Sequence, residues 1–339
     1  MVKKTEFAGD RLAVAIAGMG WWGKTIAEAL KDSPKVHVVK AIDPVPAAGE
    51  WVKSRGIEFT TDYEAVLADA RIAAVILCTP HSLHRQQIEA AAKAKKHILC
   101  EKPLALTRRD ALAAVEACET NRVVLGIGHE HRFKPVLQDL LRMVKTGELG
   151  TIQMSEATFT MPGRPMPADN WRLQSRERPG GPMTALGVHG TDLCIAVNGP
   201  ADRVWTSLES LGGSVTNTLG AVIHFKSGAN AVLTAIQGPP FSIRFAVFGN
   251  KGWVEVHDKA HPEAPEGWIV TKGRHDSRPE RCEYPAMSML QANAEAFADA
   301  IAGRAPYPVS HKDMVDNIAL FEAICKSTEK GGEPVAVEN

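Results

Sequence analysis

The first 128 residues alternate short apolar runs with stretches of helical periodicity. The apolar runs are Leu12–Ala17, Val36–Ile42, 72–78, His97–Cys100 and 123–127. Strands separated by helical segments predict βαβ units and a parallel sheet. The most continuous runs fit strands covered on both faces. Thr61 with Glu64, and Thr107 with Asp110, have the spacing of a capping box at a helix N-terminus. A further helix over 134–146 stops at Gly147. Beyond residue 151 the period changes to two, as over Thr218–Phe225, 230–236 and 243–248. Turn residues such as Ser227, Gly228, Asn250 and Gly252 separate these runs, which predicts an antiparallel meander. One helix, over 183–197, interrupts the strands and ends at Asn198, Gly199 and Pro200. Two more follow over 288–302 and 311–327. The pattern predicts a doubly wound α/β domain over 1–128, then an α+β domain over 129–339 with an open, mostly antiparallel sheet. The helix over 311–327 is expected to pack back near the first domain.

Composition narrows the class without changing that picture. At 339 residues the chain exceeds what one hydrophobic core usually supports. Apolar residues make up 45% and charged residues 23%, the balance of a soluble globular protein. The 39 basic and 39 acidic side chains cancel, so no net field favours nucleic acid or an anionic membrane as partner. No apolar run has the length of a membrane span. Lys3, Lys4 and Arg11 ahead of Leu12–Ala17 resemble a short signal peptide. A glycine-rich turn follows at once, however, so the run reads as a buried first strand. Cys78, Cys100, Cys118, Cys194, Cys282 and Cys325 contain no C-x-x-C pair. They read as reduced thiols of a cytoplasmic protein, with no disulfide framework and no metal site.

Gly18, Met19, Gly20, Trp21, Trp22 and Gly23 spell G-x-G-x-x-G between an expected strand and an expected helix. That context is the one in which the motif binds a dinucleotide. The first glycine permits a tight turn, the second lets the main chain approach a pyrophosphate, and the third allows close helix–strand packing. Free amides and the positive dipole end of the helix then face the phosphates. Asp43 follows the second strand, where a carboxylate accepts hydrogen bonds from the adenosine ribose and repels a 2′-phosphate. Pro44, Val45 and Pro46 supply no arginine for such a phosphate, although Lys53 and Arg55 are near in sequence. NAD is therefore expected over NADP.

Nicotinamide chemistry also needs a group that moves the hydroxyl proton and one that stabilises charge on oxygen. Cys100, Glu101, Lys102 and Pro103 stand at the carboxyl end of an expected parallel strand, where open α/β sheets bind ligands. Proline at 103 biases Lys102 toward an extended conformation. From that tetrapeptide alone, a surface lysine before a turn fits as well as a catalytic one. On the helix over 183–197, positions 185, 189 and 192 share a face, so His189 and Asp192 can act together. A core histidine fits that helix equally.

Taken together and in order, several segments resemble the Gfo/Idh/MocA family over nearly the whole chain. They are Gly18 to Gly23, Thr79 with Pro80, His81 and His84, Glu101 to Pro103, Arg132 with Phe133, Trp171 with Arg172, and Gly180 to Asp192. The resemblance implies an NAD(P)-dependent oxidoreductase with a Rossmann domain and a substrate domain whose sheet forms a homodimer or homotetramer. It implies that Lys102 is the active-site lysine and His189 the catalytic histidine. Cys78, Thr79, Pro80, His81, His84 and Glu101 would line the cofactor. Trp171, Arg172, Thr184, Asp192 and His129 would lie near substrate. The implied substrate is a secondary alcohol or ketone of a sugar, cyclitol or related polyol. Three positions depart from the family pattern. Ala185 stands where an aspartate is common, His81 where asparagine follows Thr-Pro, and the segment His129, Glu130 and His131 replaces an asparagine before Arg-Phe. Two alternatives stay open: an NADP-preferring reductase of a keto-sugar or dihydrodiol, and a catalytically weak protein that senses its cofactor. Arginines 164, 172, 176 and 178 offer either anion binding or surface ion pairs.

Overall fold

The computed structural model describes residues 11–163, 165–167, 169–211, 216–275 and 277–338. Lys3, Lys4 and Arg164, named above, lie outside them. Six strands form a parallel sheet: β1 (Leu12–Ala17), β2 (Val36–Ile42), β3 (Glu58–Thr60), β4 (Ala74–Leu77), β5 (His97–Cys100) and β6 (Leu125–Ile127). Their order is β3-β2-β1-β4-β5-β6. The chain therefore winds outward from β1 and then returns to β4, and the switch lies between the carboxyl ends of those two strands. Helices α1 (Trp21–Leu30), α2 (Ala48–Lys53), α3 (Tyr63–Leu67), α4 (His84–Lys93) and α5 (Arg108–Asn121) fall between the strands. Asp62, not Thr61, caps α3: its carboxylate accepts from the amides of Glu64 at 2.9 Å and Ala65 at 3.3 Å. An aspartate one residue nearer the helix reaches both amides, which displaces the threonine from that role.

Helix α6 (Pro135–Lys145) and α7 (Val188–Asn198) belong to a second unit with a nine-stranded sheet. Its strands are β7 (Ile152–Met161), β8 (Ala201–Glu209), β9 (Thr218–Phe225), β10 (Asn230–Gln237), β11 (Ser242–Gly249), β12 (Gly252–Asp258), β13 (Trp268–Arg274), β14 (Glu280–Tyr284) and β15 (Val335–Ala336). Their order is β14-β13-β12-β11-β7-β10-β9-β8-β15. The sheet is antiparallel except where β10 pairs in parallel with β7. The simple meander expected from the alternation is thus corrected: β7 inserts between β10 and β11. Ala157, Phe159, Ala231, Leu233 and Ala235 on one face of the sheet are buried. On strands β8 and β9, Trp205 and Val222 sit opposite each other in register and remain 37% and 46% exposed.

The compact units cross the division expected at residue 128. The first holds the chain up to Ala105, Arg109–Glu130 and Ser288–His311; the second holds Leu106–Arg108, His131–Met287 and the chain from Lys312. Helix α8 (Met289–Ile301) therefore returns to the first unit, while α9 (His311–Glu329) lies almost wholly in the second. The physical reason is an apolar stripe: Leu290, Ala294, Phe297, Ala298 and Ile301 join the core that contains Ile26 and Leu30 of α1. Asn293 fastens α8 to the end of β6 through a hydrogen bond from Nδ2 to the Ile127 carbonyl, 2.9 Å. Among the described residues no helix is long and apolar enough to cross a membrane.

Candidate active site

The glycine-rich turn sits at the switch between β1 and β4, and each glycine meets a different requirement. Gly18 has φ +93°, and a Cβ there would lie 2.6 Å from the Cys78 carbonyl oxygen. A Cβ on Gly23 would lie 2.0 Å from the Gly18 oxygen, so this glycine lets α1 pack onto its own turn. Gly20 is different, because a Cβ there would meet nothing within 4 Å. It is the residue preceding α1, where no side chain caps the helix and no acid occupies the first turn. Open space beside uncapped amides suits an incoming phosphate.

Asp43 has more to do than face a ribose. Its Oδ2 accepts the Met19 amide at 2.7 Å and its Oδ1 the Val45 amide at 2.9 Å. The carboxylate therefore braces the turn, with lone pairs left for further donors. Arg55 is committed locally: its Nε lies 3.0 Å from Glu28 Oε1, and its guanidinium stacks 4.3 Å from the Trp51 ring. Trp21 is partly exposed, and its ring centroid lies 5.0 Å from that of Trp22.

The loops after β4 and β5 complete this side. Cys78 and Cys100 are buried; Cys78 directly follows β4 and Cys100 ends β5. Pro80 is extended and precedes a short 3-10 turn over His81–Leu83. Thr79 donates its hydroxyl to Gln87 Oε1 on α4. His84, expected to line a cofactor, is fully buried at the start of α4. Glu101 is buried too, and a Cβ on Gly128 would lie 2.6 Å from its carboxylate, so Gly128 makes the space that Glu101 fills. Glu101 Oε2 accepts the Lys102 amide at 3.2 Å. Lys102 is half-buried and joined to Pro103 by a cis peptide bond. His129 is buried just beyond β6.

In the second unit His189 occupies the first turn of α7, directly after a π-type turn over Met183–Gly187. Such turns recur at functional sites. Gly190 sets the helix close to the sheet: a Cβ there would lie 2.5 Å from Leu233 Cδ1 and 3.2 Å from Ala157 Cβ. The His189 ring consequently lies nearly parallel to Phe159, with centroids 6.1 Å apart and planes inclined by 13°. His131 packs edge-on against it at 4.9 Å. Behind the helix, Asn317 of α9 accepts from Thr191 Oγ1 at 2.6 Å and donates to the Val188 carbonyl at 3.2 Å.

Two residues expected near substrate, Asp192 and Thr184, each make contacts within the second unit. Asp192 is buried, and its carboxylate binds Arg132 at 2.6 and 3.0 Å. Its carboxylate is thus anchored by Arg132 one turn beyond His189. Thr184 is also buried and donates its hydroxyl to the Pro179 carbonyl at 2.7 Å, which makes it a brace of the loop. Trp171 and Arg172 are half-buried on a 3-10 turn capped by Asn170, with the guanidinium 4.2 Å from the Trp171 ring. Arg178 is held by the Thr216 carbonyl and Gln237 Oε1, both at 3.2 Å, and exposed Arg176 lies 3.6 Å from Glu177. Sequence reasoning assigned nothing to Asn317, Gln87 or Gly128. The single glycine after β6 was the one available signal; the other two act across distances in sequence that no local pattern marks.

Residues 12–129 match the model of the oxidoreductase family with an NAD-binding Rossmann fold, and residues 137–255 match the GFO/IDH/MocA C-terminal domain. The chain belongs to the GFO/IDH/MocA family. It is an oxidoreductase of an NAD(P)-binding family. It is similar to the uncharacterized oxidoreductase YrbE of Bacillus subtilis, 30% identical over 97% of both chains. Inositol 2-dehydrogenase of Rhizobium meliloti is 26% identical over 92% of this chain and 95% of its own. Among solved structures, the aldose-aldose oxidoreductase of Caulobacter crescentus, complexed with glycerol, shares the fold with a TM-score of 0.83. The identity there is 23%, covering 96% of this chain and 99% of that one. Within this GFO/IDH/MocA chain the glycine turn fits a dinucleotide on geometry as well as on motif. Gly20 leaves the space, α1 leaves its amides uncapped, and Asp43 holds the turn in place.

Proposed function

We propose that the chain is an NAD-dependent dehydrogenase that acts reversibly on a secondary alcohol or ketone of a sugar, cyclitol or related polyol. The observation that carries the cofactor assignment is the open position above Gly20 beside the uncapped start of α1. Preference for NAD over NADP rests on the Asp43 carboxylate, whose charge opposes a 2′-phosphate, and on the engagement of Arg55 by Glu28 and Trp51. Thr79, Pro80, His81 and Glu101 are assigned to the cofactor side.

When bound, NAD supplies the acceptor for the hydride that leaves the alcohol carbon. His189 takes the hydroxyl proton at Nε2, because its Nδ1 is buried. The Lys102 ammonium stabilises negative charge on the oxygen as the carbon–oxygen double bond forms. In the reducing direction His189 returns the proton to the same oxygen. Trp171 and Arg172 contribute a planar, cationic surface for a polyol. The relatives named for inositol and aldoses support a polyol as substrate. The half-exposed Trp205 and Val222 face supports a homodimer or homotetramer through the second sheet. Six free cysteines, five of them buried, support a cytoplasmic location.

The test is a thermal-shift titration with NAD and NADP, followed by sugars, cyclitols and sugar acids, on the native chain and on Lys102→Met. Stabilisation by NAD and by one polyol class, with turnover lost but NAD binding kept in the Lys102 variant, supports the proposal. Full turnover by that variant sinks the lysine assignment, and tighter binding of NADP sinks the cofactor preference.

A further inference from the structure

Within the first unit, two loops assigned to the cofactor and the chemistry leave neighbouring parallel strands. Thr79 and Pro80 follow β4; Lys102 and Pro103 follow β5. One fully buried side chain touches the main chain of both. His84 Nδ1 lies 2.9 Å from the Pro103 carbonyl oxygen, and Nε2 lies 3.2 Å from the Thr79 carbonyl oxygen. An imidazole has fixed dimensions, so the ring holds the two carbonyls at a set separation. Helix α4, which begins at His84, also reaches Thr79 through Gln87, so the same helix fastens that residue at its carbonyl and at its hydroxyl.

We propose that His84 is a positioning residue that straps the Lys102–Pro103 segment to the Thr79–Pro80 loop, without touching the cofactor itself. The proposal rests on the roles given above to Lys102 and to that loop. Both acceptors are carbonyl oxygens and offer no hydrogen. Each ring nitrogen faces one of the two carbonyls, so whichever nitrogen carries a hydrogen donates to main chain and the ring packs between both loops.

The test uses the full chain, with NAD as the probe. His84→Phe keeps a ring of similar volume and removes both donors, while His84→Gln keeps an amide that reaches one carbonyl. The expected result is a folded H84F variant whose NAD dissociation constant rises about tenfold, with H84Q recovering part of the loss, because small displacements of binding groups act at this scale. A folded H84F variant with unchanged NAD affinity overturns the strap. If H84F does not fold, ring nitrogen NMR of the native protein decides. A slowly exchanging ring N–H from His84, hydrogen-bonded to a main-chain carbonyl, supports the strap, and a ring whose N–H exchanges freely with water overturns it. A native chain that binds neither dinucleotide sinks the functional reading and leaves the NMR result as the test of the strap.

Discussion

Arg132 and Asp192 form a two-point ion pair inside the second unit, with Nε to Oδ2 at 2.6 Å and a terminal nitrogen to Oδ1 at 3.0 Å. Both side chains are buried, and Asp313 adds a weaker contact to the same guanidinium at 3.5 Å. The pair ties the short turn before α6 to the helix that carries His189. Its geometry is the planar fork that arginine offers a carboxylate. Removing one partner leaves the other charge stranded away from water, which typically costs about 3–5 kcal/mol. Asp192→Ala should therefore lower the unfolding free energy by about 3 kcal/mol, near the bottom of that range, since Asp313 remains beside Arg132. Dinucleotide affinity should change little. Unchanged stability in a denaturation experiment would show that the pair contributes nothing net.

The glycines of the turn separate ligand binding from folding. A methyl on Gly20 meets no protein atom within 4 Å, and the residue has φ −65°, which any amino acid adopts. Gly20→Ala should fold with nearly native stability and still bind NAD at least about tenfold more weakly, because the methyl occupies the space reserved for phosphate. A methyl on Gly23 would stand 2.0 Å from the Gly18 oxygen, where only main chain could yield. Gly23→Ala should lose stability by about 1–3 kcal/mol or more, the range of overpacking. Thermal denaturation and NAD titration of the two variants read the contrast. Equal losses of stability in both would contradict it.

How legible this was depended on whether the deciding contact was local. Leu12–Ala17, Val36–Ile42 and Thr218–Phe225 have as observed strands the bounds read from the pattern, because continuous burial and clean alternation each leave a distinct period. The three-residue edge strand Glu58–Thr60 was missed, being too short to show any period. The parallel pairing of β10 with β7 was also missed, since alternation is the same for either partner direction. The glycine turn was legible because its requirements lie within six residues. The partner of Asp192 was not, because Arg132 lies 60 positions away and meets it only after folding. His84 shows the same limit: its contacts to the Pro103 and Thr79 carbonyls form only after folding, and no local pattern marks them.

His97 makes stability depend on mild acid. It opens β5, is 6% exposed, and its Nδ1 accepts the Val124 amide at 2.9 Å, so the neutral ring keeps its hydrogen on Nε2. Burial pushes its pKa down from 6.5 to about 4. The unfolded chain thus takes up a proton near pH 6.5, whereas the folded chain does so only near pH 4. Between those values the unfolded state binds more protons, so stability falls as pH falls, and the loss levels off below pH 4. The full drop is on the order of 3 kcal/mol at about 1.4 kcal/mol per unit. The carboxylates of Glu58 and Asp69, held low by Arg71 and Lys40, lose their contribution at lower pH, from the ordinary carboxylate range downward. The interval from pH 6.5 to 5 therefore reports chiefly on buried histidine. Urea denaturation at pH 7 and pH 5 should show the native chain losing stability in that interval, and His97→Gln should flatten the slope. An equal slope in both chains would mean that another group supplies the proton linkage.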